Sequence, residues 1–165
     1  MIVAVGADHA GFPMKERVIQ AIEAAGHEIL DRGAYEILPA DDYPDYARAV
    51  GEAIVAGNAE RGVLVCGSGV GVAIAACKIP SVRAAMTHDT FSARQGVEDD
   101  DMNVIALGAR VIGAELAAEI VRAFLSAEFS GAERHVRRSR KIDAIETDAR
   151  AGAFDMDQQG GEDDG

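Results

Sequence analysis

The sequence predicts an α/β fold: a three-layer α/β/α sandwich built on a Rossmann-like, parallel, five-stranded sheet. Two observations carry this expectation. Short apolar runs alternate with segments of helical period from the first residue onward, the order of strands and crossover helices in a parallel sheet covered on both faces. Glycines close the early helical segments, at Gly26 and Gly57. Ile2–Val5 is the first buried strand, ending in Gly6-Ala7-Asp8-His9-Ala10-Gly11. A helix follows, with Pro13 near its first turn and Met14, Val18, Ile22 and Ala25 on one stripe. Glu28–Leu30 reads as the second strand, and Asp41-Asp42-Tyr43-Pro44 as a loop ahead of a helix from about Tyr46 to Ala56. Gly62–Val65 is the third strand, followed by a helix from Val72 to Lys78. Val82–Met86 and Asn103–Leu107 are the fourth and fifth strands, with a short helix between them. Leu116, Ile120 and Phe124 repeat at helical spacing within Glu115–Leu125, and a last helix runs through a basic segment to about Ala149.

Length and charge narrow the function. A chain of 165 residues, 48% apolar, is enough for one domain with a sizeable core, expected over 1–150. Residues 151–165 hold five acids, no bases and four glycines, and are expected to form a disordered acidic tail. A net charge of −12 argues against nucleic acid and anionic membrane as partners, since both select basic surfaces. No stretch reaches the apolar length of a membrane span, and the first residues carry no basic signal region, so a cytoplasmic protein is expected. Cys66 and Cys77 lack metal-ligand spacing with the four histidines; no metal and no cofactor are expected.

The most informative stretch is Val63-Leu64-Val65-Cys66-Gly67-Ser68-Gly69-Val70-Gly71. An apolar strand delivers a thiol into a glycine-rich turn that opens a helix, where backbone N–H groups and the helix dipole favour an anion. In that setting the thiolate of Cys66 is expected to be stabilised, making it a base or nucleophile; the alternative is a buried structural cysteine. Ligands of open parallel sheets sit beyond the carboxyl ends of the strands, so Asp8-His9 and Cys66-Gly67-Ser68 should face one crevice. Asp8 has a second reading as a helix cap, and His9 as a turn residue. Arg134 to Lys141 gathers five of the sixteen basic residues into eight positions, which is either an anion site or a solvated helix face.

Together, Gly6-x-Asp8-His9-Ala10-Gly11, Asp42-Tyr43-Pro44, Cys66-Gly67-Ser68-Gly69-Val70-Gly71, Asn103-Val104-Ile105-Ala106-Leu107-Gly108-x-Arg110 and Arg134-His135-x-x-Arg138 resemble the ribose-5-phosphate isomerase type B family, which includes galactose-6-phosphate isomerase subunits. The resemblance spans residue 1 to about 147. It implies a homodimer, or a tetramer, with shared active sites, no metal, and interconversion of an aldose phosphate with its ketose. Aldose–ketose isomerisation needs a base for carbon deprotonation and donors for the developing oxyanion. The resemblance makes Cys66 the base, with the N–H groups of Gly67, Ser68, Gly69, Val70 and Gly71 as the anion hole and the Ser68 hydroxyl passing a proton between sugar oxygens. It places Asp8, His9 and Tyr43 along the substrate. Arg134 and Arg138 are implied to clamp phosphate, with Arg110 supplied by the partner subunit.

One segment departs from that pattern. Where the family reads His-Asn-Asp-x-Asn-Val, this chain has Asp99-Asp100-Asp101-Met102-Asn103-Val104. Asp99 stands at the family's ring-opening histidine and Asp100 at a substrate-binding asparagine. With Glu98 they form a run of acids that would repel phosphate unless turned outward. Ribose 5-phosphate to ribulose 5-phosphate is the first expectation. Alternatives are an isomerase of another aldose (a tetrose or hexose phosphate, or a free sugar), and a member that binds a sugar phosphate or nucleotide without turnover.

Overall fold

The computed structural model describes residues 1–154 and orders the elements as β1 (Ile2–Ala7), α1 (Phe12–Ala24), β2 (Glu28–Asp31), α2 (Tyr43–Val55), β3 (Arg61–Cys66), α3 (Val70–Ala76), β4 (Ala84–Met86), α4 (Thr90–Asp100), β5 (Val104–Gly108), α5 (Ala114–Ser126) and α6 (Glu133–Arg150). The strands pair in the order β2-β1-β3-β5-β4, all parallel. Each central strand is an uninterrupted apolar run because both of its faces are covered. Val3, Val5, Val63, Val65, Ile105 and Leu107 enter one core with side chains of α1, α4 and α5. Ala4, Leu64, Cys66, Val104 and Ala106 enter the other, against α2 and α3. The period-two alternation therefore turns the Cys66 side chain toward the α2–α3 layer.

Several element boundaries differ from expectation, each for a local reason. The second helix begins at Tyr43, three residues early, with Asp42 as its extended cap (φ −106°, ψ 116°) and Pro44 inside the first turn. Proline suits that position because its missing N–H has no helical partner there. The third helix starts at Val70, directly from the glycine turn, and the fourth strand shrinks to Ala84–Met86. Ala25 caps α1 and is exposed rather than part of its buried stripe, which runs Met14, Val18, Ala21 and Ile22. Leu116 is also exposed, while Ile120 and Phe124 are fully buried.

The chain divides into two compact units, Met1–Ser130 and a second beginning at Gly131. In the second, α6 is the regular element, and its isoleucines Ile142 and Ile145 are exposed. So polar a helix has no apolar stripe from which to build a core of its own. It ends at Arg150, where the first domain was expected to end; of the expected acidic tail, residues 155–165 lie outside the described residues. No helix among the described residues is long and apolar enough to cross a membrane.

Phe124 is the largest fully buried side chain, and its ring lies 5.0 Å from the Arg61 guanidinium, which also donates to the Phe124 and Ala127 carbonyls. Phe124→Ala is expected to cost about 3–5 kcal/mol. Urea unfolding would register this as a lower midpoint at an unchanged slope.

Candidate active site

The crevice is built where the strand order reverses. From β1 the chain crosses to β2 on one side and later to β3 on the other, so the loops leaving β1 and β3 part around a gap at the carboxyl edge. Ala7 pairs with Val65, and the Asp8 N–H donates to the Val65 carbonyl at 3.2 Å, which sets Asp8 beside Cys66. The loop after β1 packs so closely on β3 that any side chain at Gly11 would overlap the Val65 carbonyl. Gly69 turns the chain into α3 with φ +83°, a conformation that L side chains rarely adopt.

Asp8 is buried and uses both carboxylate oxygens. Oδ1 accepts the Gly11 N–H at 2.8 Å, and Oδ2 accepts the Cys66 thiol at 2.9 Å. Asp8 thus closes the turn that leads into α1 but is not its cap, a place taken by Gly11, which corrects the cap reading. Burial pushes the Cys66 thiol above its ordinary pKa, and the hydrogen bond to the Asp8 carboxylate pushes it further in the same direction. The backbone N–H groups of Ser68 and Gly69 pull the other way but are outweighed. This corrects the expectation of a stabilised thiolate: the resting group is a thiol donating to a carboxylate.

The other sequence-predicted residues fall into three groups. Ser68 is exposed on the turn, where its hydroxyl accepts the Val70 N–H at 3.3 Å. Tyr43 stands over Gly71, its ring carbon only 2.7 Å from where a methyl group on that glycine would lie. Arg110 donates its N–H to the Gly67 carbonyl at 3.0 Å, and its Nε sits 3.5 Å from the corresponding point on Gly67. Arg110 thus lies against the turn of its own chain. Asp99 and Asp100 form the second group, at the end of α4, which leads into the amino end of β5. In the register of β3 with β5, Val104 faces Gly62, whereas Cys66 faces Gly108. The two acids thus occupy the opposite edge of the sheet from Cys66 in the same chain, with Asp99 accepting from Gln95 Nε2 at 2.8 Å. The third group, Arg134 and Arg138, lies four residues apart on one face of α6, in the second unit. Arg134 Nε donates to His135 Nε2 at 2.7 Å.

Two residues at this edge escaped sequence reading. Asp41 binds His9 twice: Oδ2 accepts the His9 N–H at 2.9 Å, and Oδ1 meets His9 Nδ1 at 2.5 Å. Tyr46 lies near Asp41; burial and that carboxylate raise the tyrosine's pKa. His88 follows β4 and accepts the Gly108 N–H on Nε2 at 3.0 Å. No local motif marks either one, because their partners lie 32 and 20 residues away. Among the described residues, no cluster of His, Cys, Asp or Glu is arranged to hold a metal ion.

The fold is thus that of an α/β protein with an open parallel sheet, a thiol and a carboxylate hydrogen-bonded at its switch point. The Ribose/Galactose Isomerase family model matches residues 3–142, so the chain belongs to that family and is an aldose–ketose isomerase. It is 40% identical to ribose-5-phosphate isomerase B of Escherichia coli over 144 residues, 87% of this chain and 95% of that protein. It is 42% identical to D-erythrulose-4-phosphate isomerase of Pectobacterium atrosepticum over 132 residues, 78% of this chain and 85% of that protein. A solved structure of a mutant ribose 5-phosphate isomerase type B from Trypanosoma cruzi aligns with a TM-score of 0.87 at 41% identity, covering 90% of this chain and 97% of that one.

The Cys66–Asp8 pair has a measurable signature. With Cys77→Ser removing the exposed thiol, alkylation of Cys66 by iodoacetamide should rise with pH through a midpoint above the ordinary thiol value of about 8.5. Asp8→Asn removes a negative neighbour that disfavours the thiolate, so the midpoint should move down.

Proposed function

We propose that this isomerase interconverts ribose 5-phosphate and ribulose 5-phosphate by moving a proton between C1 and C2 through a cis-enediolate. The observation that carries this reading is the buried thiol at the β1–β3 edge, 2.9 Å from a carboxylate and followed by the glycine turn. In its thiolate form Cys66 takes the C2 proton and returns it to C1, while Ser68 passes a proton between O1 and O2. The N–H groups from Gly67 to Gly71 meet the charge that develops on the enediolate oxygens, where fixed donors are most effective. Asp8, His9 and Tyr43 line the sugar. Arg110, Arg134 and Arg138 bind the phosphate, for which planar guanidinium groups supply paired, charge-assisted hydrogen bonds. The enzyme works in the cytoplasm without a cofactor, as a homodimer or a tetramer with shared sites. Asp99 and Asp100, remote from Cys66 in their own chain, reach the site from the second copy.

A second reading follows from Asp99. An ionised carboxylate has no proton to give a ring oxygen, so a substrate that is already open suits this chain. An aldotetrose 4-phosphate is such a substrate, because the hydroxyl that would close a five-membered ring carries the phosphate. D-Erythrulose 4-phosphate, named in the Pectobacterium relative, is the ketose of that size. Exchange of solvent deuterium into a panel of pentose, tetrose and hexose phosphates separates the two readings by rate. It also separates both from binding without turnover, which gives no exchange.

Cys66→Ala is expected to lower turnover by about 10²–10⁴-fold while leaving binding nearly intact, the range for loss of a positioned general base. Near wild-type turnover in that variant would remove Cys66 from the role. Arg138→Ala should raise KM for phosphorylated sugars and spare unphosphorylated ones; equal loss on both would make the arginine structural.

A further inference from the structure

We propose that His9, held by Asp41, is the acid–base group that opens the ring of a cyclic aldose phosphate in this enzyme. The inference rests on the aldose–ketose reading above and assigns it a second proton-transfer site. A pentose 5-phosphate is a closed hemiacetal in water, and its C2–H becomes acidic only once C1 is a carbonyl. Opening requires one group that accepts the anomeric O1 proton and then delivers a proton to the ring oxygen. A group titrating near neutral pH can do both within a turnover, and among unperturbed side chains that is histidine.

The four histidines are not equivalent. His27 precedes β2, at the amino edge of the sheet, with its Nδ1 buried and unpartnered among the described residues. His135 lies on α6 and accepts from Arg134 through Nε2. His88 stands at the correct edge, but its Nε2 lone pair is occupied by the Gly108 N–H. His9 differs from all three. Asp41 clamps both its backbone N–H and its Nδ1, at 2.9 and 2.5 Å, from a carboxylate side chain only 6% exposed. The imidazole itself is 35% exposed, so the clamp is rigid on one side and open on the other.

That geometry selects a tautomer. With the Nδ1 proton directed at Asp41, the lone pair resides on Nε2, which has no hydrogen-bond partner among the described residues. The same carboxylate keeps its hydrogen bond to the Nδ1 proton when Nε2 takes up a proton, as in other His–Asp pairs. His9 also adjoins Asp8, whose Oδ2 binds the Cys66 thiol, so ring opening and C2 deprotonation are served by neighbouring residues. In the step itself, Nε2 removes the O1 proton, the C1–O1 double bond forms, and the C1–O4 bond breaks with its electron pair moving to O4. The imidazolium then protonates O4. The proton count closes with no co-reactant. Asp41 is the positioning residue and touches no reacting atom.

The test compares ribose 5-phosphate, which must be opened, with erythrose 4-phosphate, which cannot close through O4. His9→Asn should lower kcat/KM for ribose 5-phosphate at least tenfold more than for erythrose 4-phosphate, and Asp41→Asn should split the two sugars in the same direction. Nitrogen-15 shifts of His9 should report the Nδ1–H tautomer in the wild type and its loss in Asp41→Asn. Cys66→Ala, by contrast, should lower both activities alike. Should His9→Asn fail to fold, His9→Gln and the Asp41 variant carry the same comparison. Equal losses on the two sugars, or an undiminished rate on ribose 5-phosphate, overturn the role of His9. A wild type active on erythrose 4-phosphate alone overturns ring opening, whereas one inert on both sugars overturns the isomerase reading on which the role depends.

Discussion

Parallel pairing of β1 with β3 is the constraint from which the chemistry of this protein descends. The register that seats Ala7 against Val65 leaves Asp8 and Cys66 as the first residues beyond the paired segment on their strands. Neither loop could place its group alone. A thiol at the end of a strand has no fixed partner until another strand end is brought alongside, and backbone hydrogen bonds do this with the precision of a ladder. The absence of a side chain at Gly11 completes the arrangement by letting one loop lie directly on the other strand.

Within that frame, electrostatics decide which form of the thiol prevails. Helix N-termini and glycine turns favour thiolate, and the N–H groups of Ser68 and Gly69 do so here. Burial removes the sulfur from water, and a carboxylate at hydrogen-bond distance opposes a second negative charge. In the second pair Asp41 meets His9 at the ring Nδ1 and at the backbone N–H. Two carboxylates at this edge of the sheet thus each hold a neighbouring side chain, Asp8 the thiol of Cys66 and Asp41 the imidazole of His9.

The sheet was legible in the sequence because a strand buried on both faces has no polar positions to confuse its pattern, as Val63-Leu64-Val65 illustrates. Helix starts were less so. Pro44 reads equally as loop or first turn, and the structure takes the second, moving Tyr43 onto α2 and over Gly71. Cys66, Ser68 and Asp8 could be singled out because strand-end position and residue type coincide. Asp41 could not, since a carboxylate in an irregular loop gains meaning only from a histidine 32 residues earlier. The sign of the Cys66 shift was likewise hidden, because the turn is visible in the sequence whereas burial and the distance to Asp8 are not. The relation of Asp99 to Cys66 follows from strand direction alone, once the register of β5 against β3 is known.

The double commitment of Asp8 has a consequence for how such a protein can change. One of its oxygens holds the shape of the loop through Gly11, and the other sets the state of the thiol. A replacement that removes both oxygens frees the sulfur and loosens the turn together, whereas asparagine keeps an acceptor for Gly11 and sets an N–H group against the sulfur. Form and reactivity therefore separate at this position only through an isostere. The carboxylate at position 8 belongs as much to the scaffold as to the thiol it holds.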